Sequence, residues 1–68
     1  MSVPRDIYLT FPSPRTALSA MRRLREVRPN ARVLRDPGSS ILRISRTWEP
    51  ASHYTEVLGC AAPVVRVV

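Results

Sequence analysis

His53 is the side chain best placed for proton-transfer chemistry, because Glu49 stands four residues before it and Glu56 three after, spacings that share one face of a helix. General acid–base work needs such a group in a pocket beside a nucleophile. A short exposed helix supplies neither, so surface pairing of His53 with a carboxylate is the expected role. The one cysteine, Cys60, follows Gly59 in a run of small residues, which suits a buried inert thiol rather than a reactive one. One thiol beside one histidine makes neither a zinc site nor an intrachain disulfide. No phosphate-loop, GxGxxG, HExxH, GxSxG or CxxC pattern occurs, and two glycines are too few to build a phosphate cradle. The chain therefore reads as non-enzymatic, with no cofactor and no metal.

Charge is the stronger signal. All eleven basic residues are arginine, set against five carboxylates for a net charge of +6. The guanidinium fork meets phosphate and carboxylate bidentately and stacks on aromatic rings, so such a surface suits nucleic acid or an acidic protein. High-GC codon usage also replaces lysine by arginine, but the net charge stands under either explanation. Sixty-eight residues make a single small basic α+β domain, 1–68, with a thin core and no covalent staple, which favours self-association. No apolar run reaches the ~18 residues of a membrane span, and residues 1–5 lead into a strand without a signal-peptide core. A soluble, cytoplasmic protein that does not act on membranes is expected. Residues 60–63, Cys-Ala-Ala-Pro, are no prenylation box, since five residues follow them.

The elements that must position these groups follow from periodicity. Residues 6–11 alternate, with Ile7, Leu9 and Phe11 on one face and Tyr8 and Thr10 on the other, which predicts a strand. Ser13 serves as N-cap with Pro14 at the first helical position, and Ala17, Leu18, Met21, Leu24 and Val27 form one stripe up to the stop at Pro29-Asn30. Residues 31–35 resume a strand, residues 36–39 (Asp-Pro-Gly-Ser) turn, and residues 41–48 return as its hairpin partner, with Leu42, Ile44 and Trp48 on the core parity. A second helix over 50–58 turns Ala51, Tyr54, Val57 and Leu58 inward and stops at Gly59. Residues 64–68 close the chain as a strand. The order β-α-β-β-α-β is the split βαβ pattern, which predicts a ferredoxin-like fold with a four-stranded sheet and both helices on one face.

If Ile7, Leu9, Leu42, Ile44, Val65 and Val67 face the helices, the opposite sheet face carries Tyr8, Thr10, Arg32, Leu34, Ile41, Arg43, Ser45, Thr47, Val64, Arg66 and Val68. In the order β4-β1-β3-β2, Tyr8 and Arg43 occupy the central strands with Arg32 and Arg66 to either side. An aromatic side chain ringed by guanidiniums is what single-stranded nucleic acid requires. Residues 7–11, Ile-Tyr-Leu-Thr-Phe, resemble the first-strand signature of the RNA-recognition motif. The third strand departs from that family, with Ile41, Arg43 and Ser45 where its stacking rings belong, so the resemblance implies shared topology rather than shared function. A second basic surface lies on the first helix, where Arg15, Arg22, Arg23 and Arg25 stand off the apolar stripe, continue through Arg28, and are opposed by Glu26 as an i,i+4 partner of Arg22. The N–H groups of Arg15 and Thr16 offer a helix-start anion site. The leading expectation is a basic module binding nucleic acid or a nucleoprotein. The alternative is a homodimerising protein-interaction module, an adaptor, inhibitor or assembly subunit docking on an acidic partner. Its interaction face would be Leu34, Ile41, Val64 and Val68, with Trp48 and Tyr54 in or at the edge of the core.

Overall fold

A computed structural model of the chain describes residues 3–59 and 64–68. The elements are β1 (Arg5–Thr10), α1 (Pro14–Val27), β2 (Arg32–Leu34), β3 (Ile41–Thr47), α2 (Ser52–Leu58) and β4 (Val64–Val67). The sheet runs β2-β3-β1-β4 with every neighbouring pair antiparallel, the ferredoxin-like arrangement read from the sequence. Ile7, Leu9, Val33, Leu42 and Ile44 turn one sheet face toward Ala17, Ala20 and Leu24 of α1 and Tyr54 of α2, and these residues, with Phe11, form the buried core.

Local chemistry sets the boundaries of these elements. The Ser13 hydroxyl accepts from the Thr16 amide at 3.2 Å, and Pro14 opens α1 with the preset φ that the first helical position favours. The Thr16 N–H is thereby taken, which corrects the expectation that it is free for an anion. In the turn after β2, Gly38 lies at φ +78° and the Ser39 N–H donates to the Asp36 carbonyl at 3.0 Å. A positive φ at the third position after a proline marks a type II turn. Arg35 braces this loop from inside, donating to the Ser39 carbonyl at 2.9 Å. Gly59 ends α2 at φ +67°. Cys60 and residues 61–63, with the side chain of Val64, lie outside the described residues, so the readings made on them stand as sequence expectations.

Among the described residues the break in period comes in β3. Opposite Asp6 the β1–β3 register slips, and Arg46 takes φ +50°. This is a β-bulge with a non-glycine residue in the left-handed region, and the Asp6 carboxylate accepts the Arg46 N–H at 2.9 Å. A side-chain period of two is inverted by one extra residue. Thr47, expected on the open face, consequently turns to the helix side, where its hydroxyl meets the Tyr54 hydroxyl. Trp48, expected in or beside the core, turns outward and is 66% exposed. Val27, placed on the α1 stripe, is also exposed at the helix end.

Candidate nucleic-acid interface

The open sheet face is built on registered pairs. Leu34 pairs with Arg43, Arg43 with Tyr8, and Tyr8 with Arg66, so the four strands carry one continuous row, Leu34-Arg43-Tyr8-Arg66. Directly opposed residues in a sheet have Cβ atoms about 5 Å apart, which places an arginine on each side of Tyr8. Arg32 pairs with Ser45 in the next row, and Thr10 with Ile41 and Val64 in the row on the other side. Tyr8 and Leu34 are half-buried, while Arg32, Arg43, Arg66, Ile41 and Val68 are exposed. A shallow hollow of about 320 Å³ lies between Tyr8, Leu34, Ile41 and Arg43 and the 35–39 loop.

The carboxylates of the described residues do not neutralise this face. Among them Glu49 lies 3.8 Å from the Arg28 guanidinium and hydrogen-bonds His53 at 3.2 Å. Arg32, Arg43 and Arg66 make no side-chain hydrogen bond or salt bridge with any described residue. Of the carboxylates at this face, Asp6 is engaged by the Arg46 amide, and Asp36, which borders the hollow beside Arg43, makes no salt bridge with a described residue. Charges left unpaired on a half-apolar surface are available to an anionic partner at little cost in broken contacts.

On α1, Arg15, Arg22, Arg23 and Arg25 are all exposed, but they do not form one surface. Arg15 and Arg22 point away from the sheet, Arg23 borders a groove against Val57 and Leu58 of α2, and Arg25 folds across to donate to the Val33 carbonyl at 2.8 Å. The expected Arg22–Glu26 ion pair does not form. His53 pairs through Nδ1 with Glu49 as expected, and Glu56 is exposed and outside this pair. No three His, Cys, Asp or Glu side chains among the described residues come together in a way that would hold a metal ion. No helix among them is long and apolar enough to cross a membrane.

A second concave region escaped the sequence reading. Arg28, Pro29, Asn30, Ala31 and Arg32 on one side and Ser45, Arg46, Thr47, Trp48 and Glu49 on the other enclose a cleft of about 480 Å³, with Tyr54 and Val27 also in its wall. Its residues come from the end of α1 and the end of β3, far apart in sequence and joined by the bulge. The readable signal was Arg46, a charge falling on the core parity after Leu42 and Ile44. No protein-family model matches the chain, and no curated protein or solved structure matches it either.

Proposed function

We propose that the chain is a non-enzymatic module that binds single-stranded nucleic acid across its open sheet face. The observation that carries this reading is the registered row Leu34-Arg43-Tyr8-Arg66, an aromatic ring between two arginines that no described carboxylate engages. A base stacked on Tyr8 places its flanking phosphates toward Arg43 and Arg66, with Arg32 one row along and Leu34 and Ile41 as the apolar floor. The exposed α1 arginines, Arg15, Arg22 and Arg23, stand off the sheet face and add long-range attraction rather than contact. The test is fluorescence anisotropy of a labelled mixed oligonucleotide at low salt. Binding is expected, with Tyr8→Ala weakening it roughly 5- to 150-fold, the range that follows from ~1–3 kcal/mol per stacked base. Wild-type protein that leaves the oligonucleotide tumbling freely overturns the reading.

The free edge of β4 supports a second reading, a homodimerising interaction module. Asp6 and Val68 exchange both backbone hydrogen bonds, so alternation along the antiparallel pair points the N–H and C=O groups of Val65 and Val67 outward. Their side chains are 40% and 45% exposed, and Val68 is 68% exposed. An apolar edge of this kind invites strand pairing with a second copy. Apolar association persists or strengthens at high salt whereas phosphate binding weakens, so light scattering at two salt concentrations, with and without oligonucleotide, separates the two readings.

A further inference from the structure

The cleft between the end of α1 and the end of β3 is larger than the hollow beside Tyr8, and arginine, tryptophan and tyrosine side chains line it. Arg28, Arg32 and Arg46 face one carboxylate, Glu49. Glu49 is already held by His53 at 3.2 Å, and its contact with Arg28, at 3.8 Å, is too long for a hydrogen bond. The Arg28 Nε is buried without a hydrogen-bond partner, so the side chain holds its present position with one donor unsatisfied and gains by turning to a stronger acceptor. A phosphate in the cleft is such an acceptor.

Trp48 forms the aromatic wall. Its neighbours fix it outward. The Thr47 hydroxyl is tied to Tyr54 and accepts the Glu49 N–H at 3.1 Å, so the residues on both sides are held toward the helices. The ring also borders the hollow on its other side formed by Val3, Arg5, Ile7 and Val67, which leaves it standing between two depressions. A planar ring presented this way, beside cations, suits a planar ligand carrying negative charge.

The cleft and the sheet face are continuous. Arg32 and Ser45 are a registered pair on the open face, one row from Leu34-Arg43-Tyr8-Arg66, and both also line the cleft. We propose that the Trp48 cleft is a second base-stacking subsite for the same single-stranded nucleic acid, with Arg32 shared between it and the Tyr8 row and Arg46 and Arg28 receiving phosphate. This inference rests on the sheet-face reading and extends its footprint along β3. Trp48 lies five positions after Arg43, at most about 17 Å of strand, so the two rings engage one oligonucleotide only if it spans several nucleotides.

The chain has one tryptophan, so its emission reports the surroundings of that ring, the cleft on one side and the hollow formed by Val3, Arg5, Ile7 and Val67 on the other. The experiment titrates the full chain with a fluorescein-labelled oligothymidylate of about ten nucleotides, within the ~4–16 that small single-strand modules cover. Anisotropy and Trp48 emission are followed in parallel. Expected are quenching that saturates together with anisotropy, a roughly 5- to 150-fold weaker Kd for Trp48→Ala, near-wild-type affinity for Trp48→Phe, and unchanged thermal midpoints, because the ring is exposed. An anisotropy increase that Tyr8→Ala abolishes, with constant Trp48 emission and an unaffected Trp48→Ala variant, overturns the cleft and leaves the sheet face standing. No anisotropy change at low salt overturns both. Equal quenching by poly-glutamate, which competes the oligonucleotide away, also overturns the proposal, because the cleft then takes acidic polypeptide rather than bases.

Discussion

Removing Arg43 tests the electrostatic side of the sheet-face reading most directly. The open face carries three arginines that no described carboxylate engages, Arg32, Arg43 and Arg66, and each is available to neutralise one phosphate. For single strands the logarithm of the binding constant falls by about 0.7 per neutralised phosphate for each decade of salt, so three contacts give a slope near −2.1. Between ~50 and ~200 mM salt that slope corresponds to a loss of roughly 18-fold in affinity. Arg43→Ala removes one contact, lowering the slope to about −1.4 and the loss to roughly 7-fold. Engagement of Arg28 and Arg46 in the cleft steepens both slopes equally and leaves their difference unchanged. The assay is oligonucleotide anisotropy at four or five salt concentrations on both proteins, with circular dichroism to confirm that the variant is folded. Arg43 is exposed, so its replacement leaves the core intact. A wild-type slope near zero, or one that Arg43→Ala does not change, refutes the idea that this row meets phosphate.

Three further outcomes bear on the scaffold. Asp6→Ala deprives the Arg46 N–H of its acceptor, and a loss of about 0.5–1.5 kcal/mol is expected in urea unfolding, with a shifted Trp48 emission maximum as the bulge relaxes; an unchanged emission spectrum means that the bulge holds without the carboxylate. Tyr54→Phe keeps the buried ring but deletes its hydroxyl contact with Thr47, and should cost about 1 kcal/mol, a drop of ~4–8 °C in Tm for a domain this small. Gly38→Ala meets no atom within 4 Å, so its expected penalty of about 1–2 kcal/mol comes from φ +78° alone; a neutral result shows that the turn relaxes freely.

The β-α-β-β-α-β order was readable because each element carries its own local signal. Ser13-Pro14 opens α1, Pro37-Gly38 makes the turn, Gly59 ends α2, and the alternation of Ile7 with Tyr8 sorts β1 into two faces. The Tyr8, Arg32, Arg43 and Arg66 arrangement followed from that parity together with the strand order. Parity failed at Arg46. A bulge depends on the partner strand, here on the Asp6 carboxylate forty positions away, and such a contact leaves no periodic trace in β3 itself. Every residue beyond it was therefore assigned to the wrong face: Thr47 to the open side and Trp48 to the core. Side-chain pairing on helices was no easier to read. Arg22 and Glu26 have the right spacing and do not meet, while Arg25 finds the Val33 carbonyl, because exposed i,i+4 pairs gain too little to fix a rotamer.

The bulge also bears on whether this surface has a partner. A domain of this length has about 3–10 kcal/mol of net stability at ~0.05–0.15 kcal/mol per residue. Full burial of one large apolar side chain contributes about 1.5–3 kcal/mol, so leaving the chain's one tryptophan in water forgoes a sizeable fraction of that total. The unbulged strand would place residue 48 on the core parity. The folded chain instead puts a non-glycine residue at φ +50°, uses Asp6 to hold it there, and turns Trp48 outward beside three arginines. Ile41 and Val68 on the open face are exposed in the same way. Stability alone does not account for an arrangement that adds backbone strain and exposes the largest ring together. A ligand that covers Trp48 recovers the forgone burial on binding, which favours the cleft over the α1 arginines as the place where the proposed nucleic-acid footprint leaves the sheet.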